Sequence, residues 1–197
     1  MPEAHEQMEH AEHAEHAAHS NRNIALLIAV LALFLSFSET LGKSAQTEAI
    51  GANVESSNLW AFFQAKSIRM TQVRTAAEEL KLEEAGIADP AVKAAMDQQI
   101  EAWQKTAARY DSEPDTHEGR RELSERAKEA ERSRDLALAK YHHYELASAA
   151  FQIGIVLASA AVITGMIALA WLSGLLGIAG LGVLALGLFA PHLIHLP

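Results

Sequence analysis

Cysteine is absent from the 197 residues. That excludes disulfides, thiol catalysis and cysteine-based zinc sites. Charge is missing from one long stretch: from Leu146 to Pro197 there are 52 residues without an Asp, Glu, Lys or Arg. A soluble fold needs polar surface at regular intervals and does not tolerate such a run, whereas one membrane span needs about 20 apolar residues. The run therefore holds two spans and a tight turn. Catalytic signatures are missing too. There is no GxxxxGK[ST], no GxGxxG after a strand, no HExxH and no nucleophile elbow, and the expectation is that the chain is not an enzyme. The net charge of −9 argues against nucleic acid as a partner.

The residues that are present divide the chain sharply. Residues 1–23 form a Glu-Ala-His-rich tail, expected to be disordered or loosely helical. Residues 24–42 carry an uncharged run from Ile24 to Ser38 and read as the first transmembrane helix. A secretory signal peptide is the competing reading of this segment, but the tail before it is acidic and lacks Lys, and no convincing small-x-small cleavage site follows the apolar run.

Residues 43–145 carry 19 acidic and 15 basic side chains and are rich in Ala, Glu, Lys, Arg, Gln and Leu, all good helix formers. Three sets of residues fall at alternating spacings of three and four: Trp60, Phe63, Ser67, Met70, Arg74 and Ala77; Ile100, Trp103, Ala107 and Tyr110; and Leu123, Ala127, Ala130, Arg134, Ala137, Tyr141 and Tyr144. These are coiled-coil-like seams. Two breaks interrupt them, one at Gly86 to Pro90 with Asp89 as a helix cap, and one around Pro114 closed by Gly119. The chain must leave the membrane at Lys43 and return by Glu145. The simplest arrangement is an antiparallel helical hairpin, one arm over 43–84 and a broken arm over 90–145.

Residues 146–172 and 175–191 read as the second and third transmembrane helices, with Ser173-Gly174 as the turn, Pro191 as the stop and 192–197 as a short C-terminal tail. The expected fold class is thus an all-α membrane protein with three transmembrane helices and a long hairpin between the first and second. Ala150, Gly154 and Ala158, and Ala161 with Gly165, repeat small residues every fourth position, a pattern that lets helices approach closely. Tyr141, His142, His143 and Tyr144 sit where an aromatic belt belongs, with Trp171 at the other end of the same span. Glu39 and Lys43, four apart, read as an interfacial pair; a deeper Glu39 would be a candidate functional carboxylate.

Only the tail offers metal chemistry. His10, His13, His16 and His19 recur every third residue with Glu9, Glu12 and Glu15 between them. On a helix these form adjoining stripes of imidazole and carboxylate, which suit Zn²⁺, Ni²⁺ or Cu²⁺. A solvated low-complexity tail is the plainer reading, and no cofactor is expected elsewhere.

The stretch Asn58 to Arg69, reading NLWAFFQAKSIR, resembles the segment W-A-[FY]-[FY]-Q-A-K-x-[IK]-[RK] of a bacterial membrane family catalogued as domain of unknown function 4337. Gln152 to Ser159 resembles the start of that family's closing apolar hairpin, and the resemblance spans roughly residues 20 to 190. It implies a bacterial inner-membrane setting and no activity. From the residues themselves, Trp60, Phe63 and Met70 are expected to form an apolar seam, and Lys66 and Arg69 to face water or an acidic partner. Together with Phe62 these make up the expected interaction surface. The leading expectation is a membrane-anchored scaffold that self-associates or docks a protein partner. The alternatives are an oligomeric pore with a coiled-coil assembly domain and a metal-responsive protein using the His tail. Lys43, Lys128, Arg132, Arg134 and Lys140 flank the spans on the hairpin side against Arg22 on the other, which puts the hairpin and C-terminus in the cytoplasm and the N-terminal tail outside.

Overall fold

The computed structural model describes the backbone of residues 3–192 and the side chains of residues 22–192. It contains four α-helices: α1 (Glu3–Glu84), α2 (Pro90–Asp111), α3 (Arg120–Thr164) and α4 (Ile167–Phe189). The described residues contain no strand. The expectation of an all-helical chain holds. Three helices are long and apolar enough to cross a membrane: the Arg22–Glu84 part of α1, α3, and α4.

α1 runs unbroken because between Arg22 and Glu84 there is no Pro, and the two glycines, Gly42 and Gly51, stand singly. Each costs a helix only about 1 kcal/mol relative to Ala. The helix begins at Glu3, so the tail backbone is helical and continuous with the first apolar run. The side chains of His10, His13, His16 and His19 lie outside the described residues. α1 ends where the amides of Gly86 and Ile87 fold back onto the carbonyls of Glu83 and Glu84. Asp89 then caps α2, its Oδ1 accepting the Ala91 amide at 2.8 Å, with Pro90 in the first turn, where no amide is needed.

The turn between the last two helices corrects the sequence reading. Ser173-Gly174 is interior to α4, and the break lies at Gly165-Met166. Gly165 adopts φ 69°, a left-handed conformation that only Gly holds at no cost, and Met166 precedes the first turn of α4. Ser173 is tolerated inside the apolar helix because it is fully buried and its hydroxyl donates to the Gly154 carbonyl at 2.7 Å.

The chain forms two compact units, one of residues 1–48 with 136–197 and one of residues 49–135. The first holds all the long apolar runs. Its core is Leu31, Ala45, Tyr144, Ala147, Phe151 and Leu184, extended by Ile24, Ala158 and Ala161. Glycines of α4 are its points of closest approach. A methyl group at Gly177 would meet Leu31, one at Gly180 the Phe151 ring, and one at Gly187 both Tyr144 and His143. Buried hydroxyls are paired with backbone: Ser38 donates to the Tyr144 carbonyl at 2.8 Å and the Tyr144 phenol to that of Gly187 at 3.3 Å. Such pairing is what an apolar setting demands.

The second unit is built on α1 from Ala49 onward, α2, and the start of α3. Leu59, Leu123, Ala127 and Ala130 form its core, with Trp60 and Phe63 packed against them. α2 buries Ile100 and Ala107. A groove of about 470 Å³ lies between it and the Arg74–Lys81 stretch of α1.

Candidate functional site

The segment Asn58–Arg69 lies in the second unit, and the side chains around it form one connected cluster. Its geometry starts from the loop between α2 and α3. Asp111 ends α2, and Arg120 and Arg121 at the start of α3 reach back to its carboxylate at 3.5 and 2.8 Å. Glu122, in the first turn of α3, accepts the Ser112 hydroxyl at 2.5 Å and the Glu113 amide at 3.3 Å. These bonds, led by that from Ser112, hold its carboxyl below the ordinary carboxylate range. Gly119 is required because a Cβ there would collide with Ser112, Glu113 and Glu122. The loop is therefore clamped on itself at both ends.

α1 meets that loop through the sequence motif. Lys66 is buried, with its Nζ 3.9 Å from Glu113 and 3.8 Å from Glu118, and 5.3 and 5.4 Å from the ring centres of Phe62 and Tyr110. The two carboxylates and two aromatic faces surround a single ammonium. Arg120 stacks its guanidinium 5.0 Å from the Phe63 ring and directs Nη1 to the Met70 sulfur at 3.5 Å. Phe63 meets Trp60 edge to face at 5.4 Å, and the Trp60 indole donates to Glu131 at 2.8 Å.

The expected interaction surface is thus mostly interior. Lys66, expected to face water or a partner, is buried against acidic groups of its own chain. Met70 is buried, and Trp60 and Phe63 are half-buried on Leu123, Ala127 and Ala130. Phe62 keeps 37% of its surface open, and Arg69 is exposed. Within the second unit the inward positions of α1 are Ala49, Ser56, Leu59, Lys66, Met70 and Ala77, so the seam runs one residue before two of the positions assigned to it, Trp60 and Ser67. The missed signal is Leu59, which stands four residues before Phe63 and seven before Lys66.

The span-packing residues divide. Gly154, Ala158 and Ala161 are buried within the first unit and Ala150 is half-buried, whereas Gly165 forms the turn. The aromatic belt needs a correction as well. His143 is interior, its Nδ1 2.7 Å from the Ala139 carbonyl and its Nε2 without a hydrogen-bond partner among the described residues. Glu39 is exposed, accepting a 3.4 Å bond from Gln152 beside a groove of about 280 Å³ that also reaches Lys43, Tyr141 and Glu145. No three His, Cys, Asp or Glu side chains converge as a metal-holding group among the described residues.

No curated protein and no solved structure matches the chain. A family described as a domain of unknown function, DUF4337, matches residues 20–190. That span contains every contact described above, and the chain belongs to the DUF4337 family.

Proposed function

We propose that the protein is a membrane-anchored helical scaffold that self-associates and carries out no chemistry of its own. Residues 43–145 act as an antiparallel, coiled-coil-like hairpin between the first and second spans. The observation that carries this reading is how the motif's side chains are engaged. Trp60, Phe63, Lys66 and Met70 all contact the Asp111–Glu131 stretch of the same chain, so the chemical character of the motif goes into bracing a helix crossing. A further support is the apolar helices, whose interior hydroxyls on Ser38 and Ser173 bond to backbone carbonyls, leaving those groups little capacity to solvate a passing ion. The proposed setting is a bacterial inner membrane, with the hairpin and C-terminus cytoplasmic and the N-terminal tail outside. The partners are the lipid bilayer, further copies of the chain and a protein docked on the hairpin. A metal at the His tail is no part of this function.

The test is the size of the purified full chain in detergent, together with its behaviour in planar bilayers. The reading expects a discrete oligomer without unitary currents. Reproducible unitary currents would replace the scaffold with a pore, and a monomer would remove self-association.

A further inference from the structure

α1 has a second heptad stripe on the face turned away from its own core. Val54, Ala61, Ile68 and Thr75 recur every seventh residue, with Ile50, Ser57, Gln64 and Thr71 at the positions between. All eight are exposed, and the three large apolar ones, Ile50, Val54 and Ile68, leave 59, 53 and 60% of their surface open. The inward seam of the same helix, Ala49, Ser56, Leu59, Lys66, Met70 and Ala77, is buried. One stretch of helix thus carries two seams on opposite faces, and only one is covered. A spacing of seven is what a left-handed supercoil with another helix requires, and it has no use on a solvated face.

We propose that this stripe, Ile50 to Thr75, is the surface on which a second copy of the chain packs, parallel and in register. The inference rests on the reading that the protein self-associates, and it names the interface. Copies inserted in a membrane with one topology carry α1 in the same direction, so two α1 helices meet parallel and each stripe residue faces its own counterpart. The flanking positions suit that geometry. In a parallel pair, the residue before each of Val54, Ala61, Ile68 and Thr75 meets the residue five further on in the other helix. Arg74 then faces Glu79 of the second copy and Asn53 faces Asn58, and all four are exposed. No flanking pair in this register sets like charges together. Gln64 faces Gln64, and two amides can each donate and accept, which fixes register at one polar layer. The seam stops before Glu78, the next inner position, where two carboxylates would oppose each other. The polar layers Ser57, Gln64 and Thr71 suit lipid poorly and suit an identical helix well.

The chain has no cysteine, so single cysteines report contacts cleanly. Val54→Cys, Ala61→Cys and Ile68→Cys are placed on the stripe. Arg69→Cys and Glu129→Cys are at exposed positions off it. The full-length variants are oxidised in membranes of the expression host, and each one's native mass is measured in parallel. The expected result is disulfide-linked dimer at all three stripe positions, several-fold above that at Arg69→Cys and Glu129→Cys. Ile68→Glu, a change at an exposed site that leaves the inward seam intact, is expected to reduce the oligomer while helix content is retained. A preserved oligomer with no preference for the stripe would overturn the interface while leaving self-association standing. A monomer in every variant and in the parent chain would overturn both.

Discussion

The indole nitrogen of Trp60 donates to the Glu131 carboxylate at 2.8 Å across a sequence separation of 71 residues. This bond ties the motif on α1 to α3, beside the Leu59–Leu123–Ala127 core. A hydrogen bond to a charged acceptor contributes about 1.5–3 kcal/mol. Trp60→Phe should lower stability by that amount, read as a lower melting temperature of helical circular dichroism in detergent. Glu131→Gln keeps an acceptor oxygen and should cost less than Trp60→Phe. Equal costs would mean that the carboxylate charge, not the bond, matters.

Among the glycines of α4, close contact predicts which ones matter. A Cβ at Gly180 would lie 2.8 Å from the Phe151 ring and one at Gly187 2.8 Å from the Tyr144 ring, whereas Gly182 faces open space. Overpacking of this kind costs about 1–3 kcal/mol. Gly180→Ala and Gly187→Ala should therefore reduce resistance to unfolding in mixed detergent, and Gly182→Ala should be neutral or slightly stabilising. A Gly182→Ala variant as damaged as the other two would place another helix on that face.

Acid should loosen the loop between α2 and α3. The Glu122 carboxyl is held below its ordinary value, first by the Ser112 hydroxyl and then by backbone amides. A depressed carboxyl contributes stability that is present above the ordinary carboxylate range and is lost as pH falls through the folded value. Hydrogen-exchange protection of residues 112–120 should fall on acidification through that range, and Ser112→Ala or Glu122→Gln should reproduce the loss at neutral pH. Full protection in Glu122→Gln would remove this clamp from the account.

For topology, the basic residues near the span ends predict that cysteines placed between 49 and 135 react with a membrane-impermeant reagent only after cells are opened. A cysteine in the tail before Arg22 should react in intact cells. Labelling of the 49–135 stretch in intact cells would reverse the orientation.

Much of the fold was legible in the sequence, and the failures have physical causes. Of the seam read on α3, Leu123, Ala127, Ala130, Ala137 and Tyr144 are buried, and Arg134 and Tyr141 are half-buried. Asp89-Pro90 punctuates α2 as caps of that type do. The turn at Gly165-Met166 does not stand out in the sequence because Gly165 also completes the spacing of small residues with Ala161, and Ser173-Gly174 lies nearer the middle of the uncharged run. Its hydroxyl is satisfied by Gly154 from across the packed helices, a partner that local sequence does not display. Lys66 was misplaced for a related reason. A lysine alone reads as surface, and what makes it interior are Glu113, Glu118 and Tyr110, more than forty residues away. His143 is the same case, covered by the close approach of Gly187.

If the motif braces its own chain and is not itself the contact between chains, Lys66→Met separates the two roles. Met keeps the unbranched stem and removes the charge that faces Glu113 and Glu118 at 3.9 and 3.8 Å. Hydrogen exchange of residues 112–119 and native mass should be measured on the same purified sample. The expected result is lost protection in the loop with the oligomer unchanged. An intact loop with a dissociated oligomer would contradict it, because Lys66 would then belong to an interface between copies.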